Sequence, residues 1–380
     1  MSILLYLIFS LLIIVNLSLF YCDLRIKWIE VISVLFIILL LGGNTFNADF
    51  DDYLSMYNTG LYPLLIEPGF EYVSTFFASL GFDFIAYRFV CYIAIFFIIW
   101  LSTRRIVNSY HLLLFVYLSY SAIIDAIQLR NTLAISFLLA AIFLLAKEKP
   151  WRFVGLIMLA CVFHYTSIFF LPLFFYKELI PIIERYKIYL VVFSLGMCVF
   201  TFITGFFMQD LIELIILLMN ERKADYIVMS ATNVAFIIFP YTTFFIVSYA
   251  RKVIESQLDE TDNEQLVIIR YVDIIYFASV LFILISPLLI YSHDFLRIVR
   301  DLNIGITVLI TLFFFVYRNS SSELEERDMV WHKEFVISLW LYFALWFVGG
   351  QYLPGYQELM DNNVVCDIVD GIEPDVVDDM

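Results

Sequence analysis

Four clusters of polar residues interrupt a strongly apolar chain, and each has side chains that could do chemistry. In the first, Asp49, Asp51 and Asp52 fall within four residues, followed by Tyr53, Tyr57, Tyr62, Glu67 and Tyr72. Carboxylates accept hydrogen bonds from sugar hydroxyls or act as general bases. Tyrosine adds a flat apolar ring with a polar tip, which suits a saccharide. The same carboxylates could hold a hard cation, or form a solvated acidic loop. The second cluster is Asp125, Gln128, Arg130 and Asn131 in YSAIIDAIQLRNTLAISFLLA. An arginine there suits bidentate recognition of phosphate; the structural alternative is an interfacial arginine that snorkels outward. On a straight helix Asp125 and Arg130 would stand about 140° apart, so a turn or another partner is implied. The third is His164 in LACVFHYTSIFFLPLFF, either a hydrogen-bonded structural group or an acid, base or phosphate contact. The fourth, YSHDFLRIVRD, crowds His293, Asp294, Arg297, Arg300 and Asp301 together. Arg297 and Arg300, three apart, share a helix face, with ion pairing to Asp294 and Asp301 as the alternative.

The elements that must position these groups are membrane helices. Hydrophobic residues make up 63% of the 380 positions and charged residues 16%, against about 45–50% and about 25% in an ordinary globular domain. A soluble fold of this size could not bury that much apolar surface. A span needs about 20 apolar residues. Runs near that length lie at 2–21, 28–43, 82–101, 109–124, 130–146, 151–165, 187–206, 233–250, 270–291, 300–317 and 334–350, with a short one at 166–176. The expectation is an all-α, polytopic membrane protein with about 10–12 transmembrane helices over residues 1–350. The first run lacks a basic leader and a small-residue cleavage site, so it reads as a retained helix. The connections are an acidic loop at 44–81, a loop at 207–230 whose 211–219 portion lies along the interface, and polar loops at 251–269 and 319–333. Residues 351–380 form an acidic tail with the composition of disorder.

Basic residues concentrate in cytoplasmic loops. With twelve spans and the N-terminus outside, 16 of the 22 Lys and Arg fall inside, and both acidic segments fall outside. The six exceptions are Arg88, Arg130, Arg222, Lys223, Arg297 and Arg300. A basic group next to membrane that breaks this bias has a partner or a task. The formal charge of −15 is equally local: residues 44–87 carry −6, residues 351–380 carry −8, and the rest is nearly balanced. No basic face exists to neutralise phosphates along a duplex, which excludes nucleic-acid partners. Cys22, Cys91, Cys161, Cys198 and Cys366 are an odd, scattered set without metal-like spacing, and read as inert thiols.

These clusters would all face one side of one membrane, an arrangement suited to an anionic lipid-linked saccharide at the outer leaflet. In order, the chain shows A-D-x-x-D-Y (Ala48 to Tyr53), E-P-G-F (Glu67 to Phe70), L-R-N-x-L-A (Leu129 to Ala134), F-H-Y-T (Phe163 to Thr166) and L-R-I (Leu296 to Ile298). This order resembles the EpsG family of Wzy-like bacterial polysaccharide polymerases over most of residues 1–320. The resemblance implies a multi-pass protein of the bacterial cell membrane. Such a protein joins undecaprenyl-pyrophosphate-linked repeat units on the outer face for exopolysaccharide, capsule or O-antigen. It implies catalytic roles for Asp52, Glu67, Arg130, His164 and Arg297 and a substrate contact for Tyr53, while residue chemistry alone offers Asp49, Asp51, Tyr57, Gln128 and Arg300 as further substrate contacts, Arg300 having no counterpart in the family pattern. No cofactor or metal is implied. Partners would be the lipid-linked oligosaccharide, membrane lipid, and a chain-length regulator and flippase of the same pathway. The chain departs from the pattern at Asn131, where Gln is expected, and in the looser spacing from Asp49 to Asp52. A lipid-linked oligosaccharide flippase is the alternative, and a ligase or acyltransferase a third class. Transporters commonly use Gly- and Pro-broken helices near the midplane. Glycine here is 13 of 380, about half the average usage, and the polar groups sit at helix ends.

Overall fold

The computed structural model describes residues 2–45, 47, 49–62, 67–219, 234, 236–259, 261–290, 295–320 and 359–364. In chain order its helices are α1 (Ser2–Tyr21), α2 (Lys27–Gly43), α3 (Phe50–Thr59), α4 (Pro68–Ser79), α5 (Phe84–Thr103) and α6 (His111–Val116). A π-helical turn (Tyr117–Ser121) leads into α7 (Ala122–Ile127), α8 (Leu129–Ala146) and α9 (Pro150–Phe163). A 3₁₀ stretch (Tyr165–Phe175) runs directly into α10 (Tyr176–Met219). Then come α11 (Ile238–Gln257), α12 (Asn263–Ile285), a 3₁₀ turn (Ser286–Ile290), α13 (Leu296–Arg300) and α14 (Asn303–Ser320). The protein is the all-α, polytopic membrane protein expected.

Among the described residues, six helical segments are long and apolar enough to cross a membrane: Ile3–Tyr21, Phe84–Thr103, Leu129–Ala146, Tyr165–Thr204, Asn263–Ile290 and Leu296–Arg318. The other expected runs are shorter, merged or outside the described residues. Runs 166–176 and 187–206, read as separate, are one continuous helical segment, and the helix carries on through 211–219. The polar segment 251–269 is mostly helix, since α11 and α12 extend into it and only Leu258–Asp262 connects them. The acidic segment 44–81 is also largely helical, in α3 and α4. The span at 334–350, the connector 319–333 beyond Ser320, residues 220–230, His293, Asp294 and Cys366 lie outside the described residues.

The chain forms two compact units: residues 1–143, 151–168 and 343–380, and residues 144–150 and 169–342. In the first, α2 packs on α5 and α7, and α1 on α6. In the second, α11 packs on α12 and α14, and α10 on α12. Its most polar junction is Arg251, whose Nε donates to Glu255 and Asp273 at 2.8 Å each and whose Nη1 donates to Glu184 at 2.7 Å. The same guanidinium lies 4.5 Å from the Tyr276 ring centroid.

In the first unit the controlling problem is the end of α2. The last carbonyls of a helix have no partner within it, and in apolar surroundings an unpaired one is costly. Arg88, 2% exposed, supplies them. It donates to the carbonyl of Asn44, to that of Leu41 at 2.7 Å, and to that of Ala126 at the end of α7 at 3.4 Å. The rings of Phe50 and Phe84 flank its charge. Asn363 completes the cap by donating to the Leu40 carbonyl at 3.1 Å, beside an antiparallel bridge to Asn44. Residues 359–364 of the acidic tail are therefore packed, with Leu359, Met360 and Asn363 buried, whereas the composition of 351–380 suggested disorder. Two asparagines and two apolar side chains are enough to hold this short stretch on α2. Gly43 makes room for it, since a Cβ there would meet Asn363 Oδ1 at 2.5 Å.

Replacing Arg88 with Met keeps the side-chain bulk and strips the donors from three carbonyls. The expected loss is about 2–4 kcal/mol, read as a lower melting temperature of the purified protein in detergent. An unchanged melting temperature would refute the capping role.

Candidate functional site

Glu67, Arg130, His164 and Tyr53 come from four separate segments of the first unit and meet around one carboxylate. Each is placed by local sequence chemistry. Glu67 is the N-cap of α4, and Pro68 starts that helix, a position where its missing N–H costs nothing. A carboxylate at a helix N-terminus also faces the positive end of the dipole. Gly69 follows because the backbone passes very close to α9. A Cβ there would lie 2.7 Å from Val162 Cγ1 and 2.8 Å from the Val162 carbonyl oxygen. Phe70 is fully buried, packed on the Tyr53 ring at 5.1 Å.

Arg130 arrives through a break. The helix stops at Gln128, with φ −108° and ψ 58°, and α8 begins at Leu129. Asp125 and Arg130 thus need not share a face. Asp125 is buried and accepts from the Tyr117 hydroxyl at 2.7 Å, while Tyr92 donates to its carbonyl at 2.7 Å. Both outcomes implied by the spacing, a turn and another partner, occur. Thr132 secures the break by donating to the Gln128 carbonyl at 3.0 Å.

Beyond this turn Arg130 donates from Nη1 to Glu67 Oε2 and from Nε to the Tyr53 hydroxyl at 2.9 Å. Its guanidinium lies over the Tyr53 and Phe70 rings, at 5.2 and 5.9 Å. A quarter of the side chain, 25%, stays exposed. His164, at the end of α9, places Nδ1 3.1 Å from Glu67 Oε1. Both oxygens of the carboxylate are thus engaged. A carboxylate only accepts, so Nδ1 carries the hydrogen in this contact. Nε2 is buried and has no hydrogen-bond partner among the described residues. Burial pushes the Glu67 pKa up, but the His164 hydrogen bond and the Arg130 charge outweigh it and hold the carboxyl below its ordinary value. Burial pushes the Tyr53 hydroxyl up against the opposing Arg130 charge, so the phenol stays neutral.

The other expected residues fall elsewhere. Asp49 is half-buried, within electrostatic range of Tyr53. Asp51 and Asp52 are exposed in the first turn of α3, while Tyr53 turns inward from the same helix. Tyr57 is a packing residue: it stacks on Tyr87 at 5.3 Å and donates to the Phe82 carbonyl at 2.8 Å, and burial pushes its pKa up to about 12. Arg297 and Arg300 belong to α13 in the second unit, with Arg300 buried. Gly69 and Phe70, inside the E-P-G-F motif, were not singled out by residue chemistry. Their signal was the Pro-Gly pair directly after an isolated acid. Among the described residues no three His, Cys, Asp or Glu side chains converge as metal ligands.

The EpsG family model matches residues 27–357. The chain belongs to the EpsG family. The match takes in every one of the motifs above, from the acidic segment to α13, and no curated protein and no solved structure matches the chain. As an EpsG-family protein with several apolar helices it is a membrane protein of polysaccharide biosynthesis, polymerase-like in general type.

Two outcomes test the geometry. Gly69→Ala should cost about 1–3 kcal/mol through the clash with the Val162 backbone. Gly155→Ala, where a Cβ meets open space, should be neutral or slightly stabilising. Equal melting temperatures for the two would remove the close-approach argument. Because the Glu67 pKa is depressed in the fold, its contribution is present above the ordinary carboxylate range and lost as pH falls through the folded value. The stability gap between wild type and Glu67→Gln should be full near neutral pH and close as pH drops below about 4. A gap independent of pH would mean that Glu67 is not ionised in the fold.

Proposed function

We propose that this protein is a glycosyltransferase that polymerises undecaprenyl-pyrophosphate-linked repeat units on the outer face of the bacterial cytoplasmic membrane. The observation that supports it is the Glu67 carboxylate clamped between Arg130 and His164, with Tyr53 and Asp49 alongside. The acceptor sugar hydroxyl attacks the anomeric carbon of the growing lipid-linked chain. A new C–O bond forms as the bond to pyrophosphate breaks, and the lipid pyrophosphate leaves with the electron pair.

His164 takes the hydroxyl proton at Nε2, and Glu67 holds the imidazole in the tautomer that leaves Nε2 basic. Glu67 has both oxygens committed, so it orients and the imidazole accepts. The proton is thus taken up at the C-terminal end of α9, beside the Glu67 carboxylate. The exposed edge of Arg130 meets the pyrophosphate oxygens as their charge develops, an electrostatic contribution that is strong in a partly dry site. Asp49, Asp51, Asp52 and Tyr53 supply acceptors and a ring face for the sugar, and Gln128 and Tyr57 support the loops that carry them.

In membranes from cells carrying Arg130→Ala or His164→Ala, long lipid-linked glycans should fall by about 100-fold or more. Single repeat units should accumulate on the outer leaflet. Normal chain lengths in either variant would sink the mechanism, and accumulation on the inner leaflet would indicate a flippase.

A further inference from the structure

The first unit holds a cavity outside the Glu67 cluster, with an unusual division of its walls. A cleft of about 520 Å³ opens between α2, α5 and α6. Its sides are apolar, including Val31, Leu35, Ile38, Ile93 and Phe97. Four of these five are about half exposed, so the cleft lies open along the helices and is not sealed within the core. One end is cationic: Arg25 and Lys27 at the start of α2, and Arg104 at the end of α5, line the mouth. Arg104 lies 4.6 Å from the Trp100 ring centroid, which holds its charge at the cleft rim. The carboxylate on the wall, Glu30, is buried and accepts from the Tyr110 N–H at 2.8 Å, with the His111 Nε2 at 3.9 Å. Three exposed cations therefore face one committed carboxylate.

We infer that this cleft is a binding site for one anionic phospholipid, with an acyl chain against α2 and α5 and the phosphate held by Arg25, Lys27 and Arg104. Three features select that occupant. The walls are too apolar for a water-soluble anion, and the mouth is too basic for a neutral lipid. The depth sets the chain length: from Lys27 to Ile38 is eleven residues of helix, about 16 Å, or half of the roughly 30 Å hydrocarbon core. That matches the acyl chain of one leaflet and falls short of a long polyprenyl chain. The basic bias of the flanking turns places the mouth at the inner leaflet, where cations near an anionic surface each add to the attraction. The site is independent of the polymerisation chemistry proposed above.

The test uses the full-length protein purified in detergent containing equal amounts of phosphatidylglycerol and phosphatidylcholine with the same chains. Retained lipid is then measured by native mass spectrometry. Wild type should hold one phosphatidylglycerol in clear excess over phosphatidylcholine. Arg25→Gln with Arg104→Gln should cut that retention about tenfold or more without changing the weak phosphatidylcholine signal. Val34 also lines the cleft from α2, and Val34→Trp, which fills the cleft but leaves the cations, should displace the lipid while the melting temperature shows the protein still folded. Equal retention of the two lipids by wild type, or phosphatidylglycerol retention unaffected by both sets of changes, would overturn the site. Preferential capture of an added polyprenyl phosphate over phosphatidylglycerol would overturn the choice of occupant.

Discussion

An ionised carboxylate cannot be buried by itself: taking it out of water costs far more than any single packing contact returns, so it must be met by charge and hydrogen bonds. Glu67, 6% exposed, is that carboxylate, and the first unit is organised around meeting it. Arg130 must come to one oxygen and His164 to the other, which brings the start of α8 and the end of α9 to the cap of α4. The approach is close enough that residue 69 has no room for a side chain. The Phe70 and Tyr53 rings then cover part of the guanidinium. Two members of this polar centre sit at helix ends whose dipoles suit them, the Glu67 carboxylate at the N-terminus of α4 and the His164 imidazole at the C-terminal end of α9.

The same economy of partners governs the neighbouring helix ends. In apolar surroundings every carbonyl past the last turn needs a donor, and α2 has Arg88 and Asn363. Arg88 also reaches the carbonyl of Ala126, just before the break that delivers Arg130. The cap on α2 and the turn at Gln128 are therefore one structure, and the cation that stabilises the scaffold sits directly behind the residues that form the polar centre. Arg88 and Arg130 break the basic-residue bias for different reasons. One serves backbone carbonyls, and the other serves a carboxylate with an edge still open.

Much of this was readable in order along the chain. The apolar runs marked helices because their length matches a bilayer. The offset between Asp125 and Arg130 implied a turn or another partner because a straight helix would hold them apart, and both are there. Less readable was the sorting within the acidic segment. Asp49, Asp51, Asp52 and Tyr53 look equivalent as a string, yet α3 turns Tyr53 inward and leaves Asp51 and Asp52 exposed. A period of 3.6 residues separates neighbours by about 100°, and which face turns inward depends on Phe70 and Phe84, far along the chain. The packing of residues 359–364 was hidden for a related reason. The composition of the tail is that of disorder, but Asn363 finds carbonyls on α2 that only folding brings near.

The sequence by itself determined the membrane class, the all-α architecture and the family, because these depend on composition, run length and the order of short motifs. It also determined which side chains could carry charge or protons. Only the tertiary structure decided which of them meet. Glu67 and His164 are 97 residues apart and Glu67 and Arg130 are 63 apart, and no local pattern encodes a contact at that separation. The contact exists because a buried carboxylate has to be satisfied on both oxygens, and this packing of α4, α8 and α9 satisfies them.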